Sequence, residues 1–249
     1  MSTLPERMHR LGDEYVNFWL LDDPAGVVLI DAGLPRHWSG LTAALAARGR
    51  SLADITAVLL THAHADHLGL AARIARESEA EVWVHADDAA LAADPRAVNR
   101  YSPSERSLAP YLLRHPSGLR APLHMLRLGM AWTPRVPRVR TFTDGQRLDL
   151  PGNPVAVHTP GHTPGSATFL LSEYGIACTG DTLVTDDAIG GRRGPTAICR
   201  GMTNDGAAAT RSLRRLTEFD AELVLPGHGA PWTDGLAAAA RVALDRGID

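Results

Sequence analysis

Residues 61–67 read Thr61-His62-Ala63-His64-Ala65-Asp66-His67, which places three imidazoles and a carboxylate directly after an apolar run at 55–60. Imidazole and carboxylate are ligand types that suit zinc and neighbouring first-row metals, and a short loop leaving a buried strand can aim several of them at one point. An exposed polar loop is the competing reading. Packed into a core, the same residues would leave polar groups without partners, which is costly. Three later segments add further ligand types: His162 in Thr159-Pro160-Gly161-His162-Thr163-Pro164-Gly165-Ser166, Asp181 in Gly180-Asp181-Thr182, and His228 in Leu225-Pro226-Gly227-His228-Gly229. Each follows an apolar run, and glycine or proline beside it permits a sharp turn and close backbone approach to an ion. Singly these are ordinary turns. Together they point to a metal centre carried on one face of a sheet scaffold, with loops presenting the chemistry.

The elements that must position these residues follow from hydrophobic patterning. Strands are expected near 16–21, 27–30, 55–60 and 81–85, with alanine-rich helices near 39–48 and 68–77. The second half repeats the rhythm: strands near 147–150, 155–158, 167–171, 176–179 and 222–225, and helices near 207–219 and 236–246. Glu173-Tyr174-Gly175 reads as a hairpin turn. Strand-rich halves that each end in amphipathic helices suit two packed sheets with helices outside.

Residues 87–140 break that rhythm. Seven prolines and nine arginines against four acids make the segment locally basic, and apolar faces at 108–113 and 119–132 are interrupted by Pro110 and Pro122. It reads either as an extra helical layer on the sheet or as a lid over substrate. As a lid, Met125, Leu128, Met130 and Trp132 would line an apolar pocket and Arg114, Arg120 or Arg127 would meet a carboxylate or phosphate. The same apolar surface could instead bury itself against a second copy in a homodimer. After Asp181, Gly190-Gly191-Arg192-Arg193-Gly194-Pro195 places Arg192 and Arg193 between glycines, either as a mobile anion-binding fork for substrate or as a solvated loop. His158, four residues before His162, reads as packing or support behind the site.

Composition bounds the rest. At 249 residues and 45% hydrophobic, the chain can bury a substantial core, read here as one domain over 1–249 with the helical insertion at about 87–140. The net charge of −3 argues against a chain built to wrap nucleic acid. All basic residues are arginine, so lysine Schiff-base and Walker-lysine mechanisms are excluded. Cys178 and Cys199 form no disulfide framework or metal-binding spacing, and Cys178 reads as core. No secretory leader or membrane-length apolar run is visible, so a cytoplasmic location and no membrane partner are the default expectations.

The His-x-His-x-Asp-His run and the separate His, Asp and His in that order resemble the metallo-beta-lactamase fold hydrolases, over about residues 27–229. The resemblance implies an α+β fold, a four-layer αββα sandwich, with two divalent metal ions along one edge. Zinc is the expected metal, and manganese or iron would fit the same ligands. It implies that His62, His64 and His162 hold the first metal, that Asp66, His67 and His228 hold the second, and that Asp181 bridges them. Asp31 matches a family position near the site, where it would orient a ligand histidine; a strand-end turn is its other reading.

The expected chemistry is hydrolysis of a small-molecule ester, lactone or thioester by a hydroxide held between the metals, with Asp66 able to relay a proton and Asp181 serving as the bridge. An aspartate bridge looks like the glyoxalase II, lactonase and ribonuclease Z side of the superfamily. No counterpart of the helical domain with which glyoxalase II binds glutathione, or of the RNA-gripping arm of ribonuclease Z, is evident in the sequence. A ribonuclease Z-like phosphodiesterase, a persulfide dioxygenase with one iron and a binding protein with a vestigial site are the alternatives.

Overall fold

The computed structural model describes residues 4–249. A six-stranded sheet runs in the order β1 (Met8–Gly12), β2 (Asn17–Asp23), β3 (Gly26–Ile30), β4 (Ile55–Leu59), β5 (Glu81–His85) and β6 (Arg140–Phe142). β1, β2 and β3 pair antiparallel, and β3 to β6 pair parallel. The second sheet comprises β7 (Val155–His158), β8 (Ala167–Leu171), β9 (Ile176–Gly180) and β12 (Leu223–Pro226), in the order β12-β9-β8-β7. A separate ribbon pairs β10 (Val184–Asp187) with β11 (Arg192–Thr196).

Strand periodicity explains the layering. In β2, Phe18 and Leu20 pack on one face and Trp19 and Leu21 on the other; in β3, Val27 and Leu29 alternate with Val28 and Ile30 in the same way. Both faces are therefore apolar, and both must be covered. Phe18, Leu20, Val27 and Leu29 pack against Leu41 and Leu45 of α1 (Trp38–Ala46) and Ile74 of α2 (Ala71–Glu77). Trp19, Leu21, Val28 and Ile30 meet Phe169, Leu171 and Cys178 of the second sheet. That sheet's outer face, with Val157, Ala177 and Val224, is covered by Leu213 and Leu216 of α7 (Gly206–Leu216) and Leu236 and Ala240 of α8 (Leu236–Arg246). Helices, sheet, sheet and helices make the four-layer αββα sandwich expected from the sequence, with Cys178 in its centre.

The expected strands and long helices form within a few residues of their predicted bounds, with one exception. Residues 147–150 make only an isolated bridge, Arg147 to Val155, because Leu150 N–H turns back to the Leu148 carbonyl at 2.9 Å. The terminal strand β1, the short β6 and the β10–β11 ribbon were not anticipated.

Residues 87–140 fold largely into short helices: α3 (Ala89–Ala93), α4 (Val98–Tyr101), α5 (Ala109–Arg114) and α6 (Arg120–Arg127), linked by 3-10 turns, before β6. Pro110 and Pro122 lie in the first turns of α5 and α6, where the missing N–H costs no helical bond. α5 and α6 roof the edge of the sandwich where the ligand loops emerge.

Candidate metal centre

The predicted ligands leave the carboxyl ends of their strands at that edge. β4 leads into His62, His64, Asp66 and His67, β7 into the His162 loop, β9 into Asp181 and β12 into His228. Close approach of the loops is written into the glycines. A Cβ on Gly227 would strike the Asp181 carboxylate and come within 2.6 Å of the His67 ring, and Gly180 at φ +50° would drive one into Thr61.

All seven side chains converge. One ligand atom from each of His62, His64 and His162 lies within 4.8 Å of the others, and the same holds for Asp66, His67 and His228. Asp181 sits between the two sets. Its Oδ2 is 3.3 Å from His162 Nε2, 3.9 Å from His62 Nε2 and 3.1 Å from His228 Nε2, while Oδ1 is 3.5 Å from His67 Nε2.

The histidines are held from behind. Asp31, buried and in the left-handed region at φ +62°, accepts from Thr61 N at 2.8 Å and from Thr61 Oγ1, and its Oδ2 lies 2.9 Å from His67 Nδ1. Thr61 Oγ1 in turn faces His62 Nδ1 at 3.1 Å. One carboxylate thereby fixes which nitrogen each ring turns to the cluster. His228 Nδ1 donates to the Tyr15 carbonyl at 2.5 Å, which leaves Nε2 facing Asp181.

Two supports were missed from the sequence. Buried Asp88 accepts from Ala63 N, Thr163 Oγ1 and Gly165 N at 2.8–2.9 Å, tying the first ligand loop to the His162 loop. Buried Asn17 donates to the Pro226 and Gly229 carbonyls at 2.9 and 2.8 Å, bracketing His228. The position of Asp88 at the end of β5, beside the edge, was its only local signal; both roles depend on contacts distant in sequence.

The electrostatics separate the two sets. Burial holds His62 and His162 well below the usual imidazole range and lowers His64 too, so these rings are neutral and able to ligate. Burial also pulls on His67 and His228, but carboxylates outweigh it: Asp181, Asp31 and Asp66 raise His67 to about 9, and Asp181 and Asp66 raise His228 to about 10. The Asp181 carboxyl, despite burial, is held well below its ordinary range by His228 and His67. Five buried atoms of these side chains, His62 Nε2, His64 Nε2, His67 Nε2, His162 Nδ1 and Asp181 Oδ1, have no hydrogen-bond partner. Unpartnered buried polar atoms gathered in one place, in a nitrogen and oxygen donor set, fit divalent cations once any ring protons have left.

Other expectations fare differently. Met125 and Met130 line the cavity beside the ligands, as predicted for a lid, but Leu128 and Trp132 do not, and Trp132 is 71% exposed. Arg114, Arg120 and Arg127 stay off the cavity wall. Arg192 and Arg193 are also kept from the cluster, which corrects the anion-fork expectation: they begin β11, and Arg192 is drawn to the Gly247 carbonyl and the Asp249 carboxylate. His158 stacks on His85 at 3.8 Å and donates from Nε2 to the Pro164 carbonyl at 2.8 Å. With Asp87 the pair has metal-ligand spacing, but that bond occupies the nitrogen a metal would need, so the pair packs behind the His162 loop.

The roof is tied down near His228. His124 of α6 and His37 both bond Asp13, at 2.8 and 3.1 Å, and the His124 ring packs on Tyr15 with centroids 5.0 Å apart. Burial pushes the Asp13 carboxyl up, but bonds from His37, Tyr15 N, His124 and Val16 N hold it far below its ordinary value.

Comparison with known proteins identifies the family. Residues 11–228 match the family model of the metallo-beta-lactamase superfamily. The uncharacterized protein YobT of Bacillus subtilis is 30% identical over 67% of this chain and 61% of its own length. The probable metallo-hydrolase YflN of the same organism is 24% identical over 91% of this chain and 85% of its own. An atrochrysone carboxyl ACP thioesterase of Aspergillus fumigatus is 28% identical over 86% of this chain, which spans half of that protein. Among solved structures, TTHA1623 in a di-iron-bound form is 29% identical with a TM-score of 0.64, covering 93% of this chain and 96% of that one. No helix among the described residues is long and apolar enough to cross a membrane. With a family match over most of its length and the sandwich fold to go with it, the chain belongs to the metallo-beta-lactamase superfamily of metal-dependent hydrolases.

Proposed function

We propose that this protein is a dinuclear metal-dependent hydrolase of small-molecule esters, lactones or thioesters. The observation that carries the reading is the double ligand set, with Asp181 placed between two complete triads. When bound, divalent ions at such a cluster supply an acidified water near neutral pH and polarise a carbonyl oxygen. In this reading His62, His64 and His162 would hold one ion, Asp66, His67 and His228 would hold the other, and Asp181 would serve both.

The chain's own residues do the remainder. Asp31 keeps His67 Nε2 aimed at the site, and the Tyr15 carbonyl does the same for His228. Asp66 borders the cavity, with Oδ2 3.6 Å from both His67 Nε2 and His228 Nε2, so it can hold a proton on its way to the leaving group. α5 and α6 supply apolar side chains, Leu112, Pro122 and Met125, to the cavity beside the cluster. Kinship with a thioesterase supports acyl transfer to water, and the di-iron neighbour supports two ions while leaving zinc, manganese and iron all compatible.

A mononuclear persulfide dioxygenase would use one triad and leave the other without a purpose, so the paired triads favour the hydrolase. The test is metal analysis of protein purified without added metal, alongside turnover of ester, lactone and thioester substrates. About two ions per chain with chelator-sensitive hydrolysis is expected. One iron per chain with oxygen consumption would overturn the proposal.

A further inference from the structure

The cavity at the cluster says more about the substrate than the ligands do. It encloses about 310 Å³, at the small end of ligand pockets, which run from roughly 300 to 1,000 Å³. One end is formed by His64, Asp66, His162, Asp181 and His228. The opposite wall is apolar and comes from three places: Leu108 and Leu112 at α5, Pro122 and Met125 of α6, and Ile189 at the tip of the β10–β11 ribbon. Ile198 and Met202 continue it. Among the described residues no arginine lines this space, although the chain carries twenty-five basic residues and the roof segment itself is rich in them. The charged groups that do line it away from the predicted ligands are carboxylates, Glu14, Asp186 and Asp187.

That distribution selects against a charge on the acyl side of the substrate. A carboxylate or phosphate placed along the wall would lose its water without gaining a cation or donor, and would face like charges at the rim. An apolar chain placed there gains burial at about 25 cal/mol per Å², and the methionines adapt to its shape.

We propose that the substrate is an uncharged ester or thioester with an apolar acyl chain of medium length, its carbonyl at the ligand cluster and its chain against Leu112, Met125, Ile189 and Ile198. The inference rests on the hydrolase reading above and adds the substrate class to it. The step consumes one water. The water oxygen forms the new bond to the acyl carbon, and the bond from that carbon to the alkoxy oxygen or thiolate sulfur breaks. The leaving group takes one water proton, and the acid product ionises in solvent. Acyl groups ending in a carboxylate are disfavoured by the same wall.

The test pairs turnover with binding on the metal-loaded protein. kcat/KM is measured for p-nitrophenyl esters from acetate to dodecanoate, and for esters whose chain ends in a carboxylate. Each added methylene is expected to raise kcat/KM about fourfold until the wall is filled. A terminal carboxylate is expected to lower it at least about a hundredfold against the neutral chain of equal length. A flat series, or faster turnover of the carboxylate esters, overturns the substrate class while leaving the hydrolase reading intact. Calorimetric titration with octanamide and with suberamic acid separates the two readings further. Octanamide binding far tighter than suberamic acid, without turnover of any ester, retains the pocket and removes the hydrolase; no octanamide binding overturns the pocket. Within single preparations, Met125→Arg is expected to invert the ratio of neutral to carboxylate esters by tenfold or more, and an unchanged ratio counts against the assigned wall.

Discussion

Asp31→Asn isolates the contribution of a residue that touches no substrate. The position has φ +62°, a conformation that asparagine tolerates, so the backbone is undisturbed where alanine would be strained. The native carboxylate serves Thr61 N–H, Thr61 Oγ1–H and His67 Nδ1 with two oxygens. The amide has one oxygen and presents an NH2 group to the rest, so at least one bond to a charged acceptor is lost and a donor is turned on a donor. Such a loss costs roughly 1.5–3 kcal/mol, or about ten- to a hundredfold in an equilibrium constant. This agrees with the roughly 10–100-fold loss of metal affinity typical when the partner of a ligand histidine is removed. The assay is competition for metal between the protein and a chelator of known affinity, with thermal melting of the metal-free form to register any general loss of structure. Metal affinity within twofold of wild type, with an intact fold, would refute the claim that Asp31 orients His67.

Other outcomes follow from the same geometry. Asp181→Ala should reduce metal content and lower turnover by orders of magnitude, whereas His158→Ala should leave metal content near normal; equal loss in both, by elemental analysis, would undo the ligand assignment. Asp88→Ala strands buried Ala63 N–H and Gly165 N–H, so it should cost about 3 kcal/mol or more in denaturant unfolding, and a change below roughly 0.5 kcal/mol would contradict its bridging role. In metal-free protein the raised His67 and His228 contribute stability that is full below pH 6.5 and lost as pH rises through about 9 and 10. The depressed Asp181 contributes above pH 3.8 and loses that contribution in acid. Melting temperature of chelated protein should therefore fall from pH 6.5 to 10, while affinity for a second metal rises because those protons must leave. A metal-free melting temperature that climbs over this range would show the charges to be misassigned.

The candidate cluster was legible in the sequence because its residues are polar and set at the ends of apolar runs, where neither core packing nor helix patterning explains them. The layers were legible because β2 and β3 are apolar on both faces. Where reading failed, the cause is physical. Gly190-Gly191 beside two arginines has the composition of a free loop, yet it is the tip of a two-stranded ribbon whose pairing depends on residues on either side. In the roof, Leu123 and Leu126 face solvent while Pro122 and Met125 face the cavity. Apolar residues of α6 thus fall on both its cavity-facing and its solvent-facing sides, so hydrophobic patterning alone does not say which of them line the cavity. Asp88 and Asn17 look like turn residues until the loops they join are brought together from 63, 163, 226 and 229.

The four residues from Asp13 to Val16 serve two masters. Asp13 anchors the roof through His124, and two residues later the Tyr15 carbonyl fixes the ring of His228. The seat of the roof and the orientation of the His228 ring thus share one short stretch of backbone, so a substitution that displaces Asp13 is expected to disturb both at once.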